Sequence, residues 1–194
     1  MDTVLKELKA GIRRFGTEIY PSNEATYRQA VSEPQRPHAL FVTRNVGNLV
    51  PAYGEMMGGV SAVIEYAVTA LKVQHVVVCG HSDCGAMKGL LHPESLEKMP
   101  TVRSWLKNAH AALSVANSLA EPDEKPSDLM RRLTEENVLL QMQHLRTHPS
   151  VAGAMAREEL TISGWVYDIG KGEVRISEDG GRVFRPVMTE ATNA

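Results

Sequence analysis

Residues 76–87 read Val-Val-Val-Cys-Gly-His-Ser-Asp-Cys-Gly-Ala-Met. A β-branched run ends abruptly at Gly80, and His81 is followed three positions later by Cys84. An imidazole nitrogen and a thiolate delivered from one strand-end turn are ligand types that zinc prefers. Gly80 and Gly85 flank the pair and permit close backbone approach, as a built site requires. A histidine satisfied by backbone and a small buried cysteine would fit the same residues. Two ligands leave a zinc site open, so the rest of the chain must supply the others or fail to.

The 194 residues suffice for one domain with a real core. With 43% hydrophobic and 23% charged residues the composition is that of a soluble globular protein. A formal net charge of −2 gives no electrostatic footprint for nucleic acid. No apolar run approaches the ~20 residues that span a bilayer. Lys6, Glu7, Lys9, Arg13 and Arg14 interrupt the first fifteen residues, which is unlike a signal peptide. A cytoplasmic protein with no membrane partner is expected. The two cysteines, Cys79 and Cys84, are too few for a disulfide framework, so metal or redox chemistry is the better reading for at least one.

The turn needs elements to hold it. Val4, Leu8, Ile12 and Phe15 recur at helical spacing and predict a short amphipathic arm; a second helix is expected over Ser22–Val31, with Ser22 as its N-cap. His38–Thr43 reads as a short buried strand running into Arg44–Asn48. Helices are predicted over Gly58–Leu71, Ala86–Leu91, Val102–Leu119 and Ser127–Thr147. Strands are predicted over Gln74–Cys79, Thr161–Asp168 and Val174–Ser177, the last two paired across Gly170-Lys171-Gly172. Alternating helices and short buried strands predict an α/β fold with a mostly parallel central sheet flanked by helices. The crossover rule then places Arg44–Asn48 and Cys79–Gly85 on one edge of that sheet. The whole chain, 1–194, is expected to form a single domain, with 1–33 as an N-terminal helical arm.

Four strings carry a resemblance: FVTRNVGNLVPAYG, GGVSAVIEYAVTALKVQHVVVCGHSDCGAMKGLL, NVLLQMQHLRTHPSV and LTISGWVYDIGKGEV. Together they closely resemble the β-class carbonic anhydrases, in particular the bacterial and cyanobacterial branch. The resemblance implies reversible hydration of carbon dioxide to bicarbonate by zinc-bound hydroxide, with one zinc per subunit held by two cysteines and a histidine. It also implies a homodimer or larger homo-oligomer. His81 and Cys84 fall on the histidine and the second cysteine. Cys79 falls on a residue that is not a ligand, and is expected to be a buried strand residue. Gln35 matches a glutamine that helps to bind substrate across a subunit interface.

The sequence departs from the family in one place. The Cys-x-Asp-Ser-Arg motif at the end of the family's first strand is absent, and no cysteine precedes Cys79. Residues Pro37–Phe41 resemble the start of that first strand and Val42–Asn45 the end of the second. Their fusion implies loss of on the order of thirty residues, about one strand-crossover unit. The fused strand is expected to take the central place in the sheet, since an unfilled slot would leave two ladders unpaired. No residue stands in for the catalytic aspartate and arginine. Asp83, between the two ligands, and Cys79 are weak substitutes for the missing thiolate. Impaired hydration is therefore expected, with a catalytically silent binding or assembly subunit as the alternative.

Overall fold

The computed structural model describes residues 2–26, 28, 40–55, 58–178 and 180–187. The chain divides into two compact units, Met1–Val42 and Thr43–Ala194.

In the first unit, α1 covers Asp2–Arg14 and continues through a π-helical turn, Phe15–Ile19, into Tyr20–Ser22. Pro21 has no N–H to give to the helical ladder, and the ladder widens in the turn before it. Residues 24–26 and 28 are helical within the second helix expected over Ser22–Val31, whose residues 27 and 29–31 lie outside the described residues, but Ser22 is not its N-cap. Its Oγ donates back to the Glu18 carbonyl at 2.6 Å, so it ends the preceding helix instead. Ile12 is 71% exposed and Ile19 39%.

The second unit carries α2 (Gly59–Thr69), β1 (His75–His81), α3 (Gly85–Leu91), α4 (Pro100–Trp105), α5 (His110–Ser118), α6 (Pro126–Arg146), α7 (Pro149–Ala156), β2 (Thr161–Asp168), β3 (Glu173–Ser177) and β4 (Arg185–Pro186). The helix expected over Val102–Leu119 is broken by a 3-10 turn, Leu106–Ala109, which buries Leu106 and Ala109. The helix α7 was not read from the sequence; its short Pro-Ser-Val-Ala-Gly-Ala run lacks polar periodicity.

The strands follow the order β1-β2-β3-β4. The longest ladder is parallel, joining β1 to β2 from His75↔Thr161 to His81↔Tyr167. The pairings of β2 with β3 and β3 with β4 are antiparallel. This is the expected α/β class, with helices packed on the sheet. Alternation along β1 and β2 sends Val78, Ile162 and Val166 into a core with Ile64 and Val68 of α2 and Val138, Met142 and Leu145 of α6. A second cluster joins Leu49, Cys84, Met87, Leu90, Leu106, Ala112 and Leu133.

The fused central strand does not form. Residues 40–43 have no strand assignment, and Leu40, Phe41 and Val42 are 81%, 44% and 65% exposed; His38 and Ala39 lie outside the described residues. Among those residues β1 ends the sheet. The reason is local. The Asn45 side chain bridges both main-chain groups of Leu49, at 2.8 and 2.9 Å, so the chain turns immediately after Arg44. Gly47 (φ 80°) and Asn48 (φ 48°) then adopt left-handed conformations that end any extended run.

A candidate zinc half-site at the end of strand β1

His81 is the last residue of β1 and Cys84 caps the N-terminus of α3. Two bonds fix the turn between them to β2. The Ser82 N–H donates to the Tyr167 carbonyl at 2.8 Å, and the Ile169 N–H donates to Ser82 Oγ at 2.9 Å. Gly80 is required where it stands, because a Cβ there would lie 2.9 Å from Val138 Cγ2 and 3.2 Å from Thr134 Cγ2. Gly85 is different: an added Cβ meets nothing within 4 Å.

His81 Nδ1 lies 2.8 Å from the Ser82 carbonyl. A carbonyl only accepts, so this nitrogen carries the proton and Nε2 presents its lone pair. That is how second-sphere contacts commonly orient a metal-binding histidine. Cys84 is 4% exposed, within the second core cluster. Asp83 is held in a left-handed conformation (φ 60°), and its carboxylate pairs with Lys88 Nζ. The hydrogen bond and charge of Lys88 hold this carboxyl below the usual carboxylate range. Asp83 is thus committed to a lysine. Cys79 is exposed, not buried as expected, because it shares the pleat face of His81, away from α6. Neighbours still crowd its thiol enough to raise its pKa, which opposes the thiolate a metal needs.

Among the described residues no group of three or more His, Cys, Asp or Glu side chains converges to hold a metal ion. The two expected ligands occupy the strand-end turn, and no third joins them. The other described histidines have structural partners or lie at the surface. His144 Nδ1 and His148 Nε2 bond the carbonyls of Val50 and Pro51, and His75 bridges Thr161 and Ser163. Gln35 lies outside the described residues.

The Arg44–Asn48 loop does reach the same edge. A Cβ on Gly80 would be 3.6 Å from Asn48 Oδ1, and one on Gly47 would be 3.0 Å from Ala86 Cβ. Two polar residues of α6 hold the loop, and both escaped the sequence reading. Asn137 Nδ2 donates to the Gly47 carbonyl at 3.0 Å, and Gln141 Oε1 accepts from the Val50 N–H at 2.8 Å. Gln141 also donates to Asn137 Oδ1 at 2.9 Å. The legible signal was an Asn/Gln pair at i, i+4 on the apolar face of a helix, where polar side chains need a structural partner. One donor stays unused: Asn48 Nδ2 is buried without a hydrogen-bond partner.

The family model for carbonic anhydrase matches residues 29–174. The chain belongs to the β-class carbonic anhydrase family. It is 36% identical to carbonic anhydrase 1 of Escherichia coli O157:H7 over 205 aligned positions, covering 94% of this chain and 92% of that protein. The structure of the β-carbonic anhydrase CcaA superposes with a TM-score of 0.88 at 31% identity, covering 97% of this chain and 94% of the other. One of the tetrameric β-carbonic anhydrases of Sordaria macrospora gives a TM-score of 0.75 at 26% identity, covering 93% and 98%. The β class is zinc-dependent. Among the described residues of this β-carbonic anhydrase homologue no three donors converge to hold a zinc ion.

Proposed function

We propose that this chain is a β-carbonic anhydrase homologue directed at carbon dioxide and bicarbonate, with zinc-dependent hydration impaired by an incomplete ligand set. The observation that carries this reading is that His81 and Cys84 find no third ligand among the described residues. Besides Cys84 the sequence offers only Cys79, which lies on the sheet face away from α6 and whose thiol pKa is raised by partial desolvation. One further observation supports it. The unused donor of Asn48, beside the end of β1, suits a loop whose former neighbour is gone.

The ligand shortfall also favours a second reading, a catalytically silent homologue that acts as a binding or assembly subunit. In either case we keep the reading of one domain, 1–194, with 1–33 as an N-terminal helical arm, although the chain clusters into two compact units that meet at Val42 and Thr43. Gln35 is kept as the candidate substrate contact across a subunit boundary, and no residue is assigned as the catalytic acid, base or gate. The tetrameric Sordaria relatives support a homo-oligomer, and kinship with a bacterial enzyme supports a cytoplasmic location. Among the described residues no helix is long and apolar enough to cross a membrane.

Metal analysis and stopped-flow hydration on the dialysed full chain test the proposal together. Zinc well below one per chain, with hydration far below that of the Escherichia coli relative, is the expected result. Any residual activity should vanish in His81→Ala. Zinc retained at one per chain, with rapid hydration that His81→Ala abolishes, would overturn it. Measurable but slow hydration favours the impaired enzyme, and none above buffer favours the silent subunit.

A further inference from the structure

A groove of about 390 Å³ lies between α5, α6 and residues 180–182. It opens across α6 from the sheet. Val138 and Met142 meet the strand at Gly164, whereas Glu136, Leu140 and Gln143 occupy the other side of the helix and line the groove. The short side chains of Ala111 and Ala112 on α5 leave the space over Leu139 and Leu140 unfilled. Gly180 turns the third wall at φ 79°, and the buried Ser177 hydroxyl pins it by donating to the Gly181 carbonyl at 2.8 Å. Glu136 is only 8% exposed, and its Oε1 accepts from Arg182 Nε at 2.8 Å. Its Oε2 makes no hydrogen bond among the described residues. The one unpartnered side-chain atom sealed from solvent there is Asn48 Nδ2, so Glu136 Oε2 stays open to the groove. The Arg182 side chain is 65% exposed, and its two Nη groups have no acceptor among the described residues. A buried carboxylate oxygen beside apolar walls is costly unless a donor meets it.

We propose that this groove binds a small zwitterion with an aliphatic side chain, the chemistry of a free aliphatic α-amino acid. Its ammonium donates to Glu136 Oε2, and its carboxylate accepts from the Arg182 Nη groups. Its side chain lies on Ala112, Val115, Leu139 and Leu140. Charge selects this class of ligand. Glu136 and Arg182 neutralise each other, so a plain cation or anion meets one attractive and one repulsive group. A zwitterion of reversed polarity closes a ring of alternating charges, and the carboxylate end matches the planar guanidinium fork. Size agrees. Pockets for small molecules run from about 300 to 1,000 Å³, and this one falls near the small end. The rim at Gln143 and Arg182 is exposed, so part of the ligand stays in water. Binding is therefore weak, with a Kd on the order of 0.1–1 mM. The groove shares no residue with the His81 turn, and its occupancy does not depend on zinc.

An NMR titration of the full chain with L-leucine tests this. The amide resonances of Ala111, Ala112 and Gly181 should shift saturably. Two analogues that each lack one charge, 4-methylpentanoate and 3-methylbutylamine, should bind at least tenfold more weakly, a comparison that needs no variant to fold. Ala111→Phe fills the groove from an exposed position on its rim, so the fold accepts it and leucine binding should fall at least tenfold. Glu136→Gln keeps the shape but removes the charge that holds the ammonium, and should weaken binding by a similar factor. Cooperative urea unfolding checks that both variants are folded. No shift at these amides with leucine at about 10 mM, well above the expected Kd, overturns the proposal. Either analogue binding as tightly as leucine overturns it too, because the site then reads one charge and not a zwitterion. Leucine binding unchanged in both variants places the ligand elsewhere and has the same consequence.

Discussion

Replacing Asn48 by glycine should stabilise the protein, although asparagine is well suited to a left-handed turn. Asn48 sits at φ 48°, with its Nδ2 buried and unpaired. A buried donor without a partner costs about 1–3 kcal/mol. The left-handed conformation adds a strain of up to ~1 kcal/mol for a residue with a Cβ, and glycine relieves it. Against these gains, glycine loses more backbone freedom on folding, by roughly 0.5–1 kcal/mol. The Asn48 Oδ1 contact with Asn137 Nδ2 is 3.5 Å long, and Asn137 keeps its 3.0 Å bond to Gly47. Its loss is therefore negligible. The net expectation is a gain of about 1 kcal/mol, or roughly 2–4 °C in Tm for a chain of this size. Asn48→Ala removes the amide but keeps the strained φ, so it should fall near wild type. Equilibrium urea unfolding measures both. If Asn48→Gly loses 1 kcal/mol or more, the amide has an acceptor in solution, and the loop is not missing a neighbour.

Three smaller tests address the parts that position the turn. Gly164→Ala would drive a Cβ to 2.6 Å from Val138 Cγ1 and 2.7 Å from Met142 Sδ, so overpacking should destabilise by about 1–3 kcal/mol in urea unfolding; a change under ~0.5 kcal/mol would mean that α6 slides freely on the sheet. The Asp83 carboxyl should titrate below a free aspartate by NMR, and Lys88→Met should move its midpoint up. A lowered folded pKa makes that pair's contribution complete above the unfolded value and lost as pH falls through the folded one; on so exposed a pair the shift itself is the readout. The Cys79 alkylation rate should inflect at higher pH than for a free cysteine, while Cys84, 4% exposed, stays silent; an inflection at or below the free value would contradict the desolvated environment.

The legible parts of the chain were those with a strong period or a local cause. Local limits were enough to find β2: Thr161–Asp168 is bounded by Leu160 on one side and Gly170-Lys171-Gly172 on the other, and the strand has those limits. The long helix α6 was visible because Leu133, Val138, Leu139, Met142 and Leu145 recur on one face. The failure at residues 40–43 has a different origin. Leu-Phe-Val-Thr is strand-like by composition, but a strand needs a free edge and enough residues to hold a register. Asn45 turns the chain too early for that, and an asparagine that bonds its fourth neighbour is not distinguishable in sequence from one that does not. The exposure of Cys79 was equally hidden. Alternation fixes that it opposes Val78, but only the position of the helices decides which face is covered.

The His81 turn survives in recognisable form because each of its residues has a structural reason to be there that does not involve a metal. Gly80 is demanded by Val138 and Thr134 on α6, since any side chain would push the helix off the strand. Ser82 ties the turn to β2 through both its N–H and its hydroxyl. Asp83 absorbs a positive φ and engages Lys88. Cys84 fills part of the core beside Met87 and Leu49. Even His81 has a backbone partner of its own. A chain that lost its remaining ligands would keep this string for packing alone. Recognition of the string therefore reports the fold with more force than it reports the reaction, and the reaction turns on whether a third donor reaches His81 and Cys84.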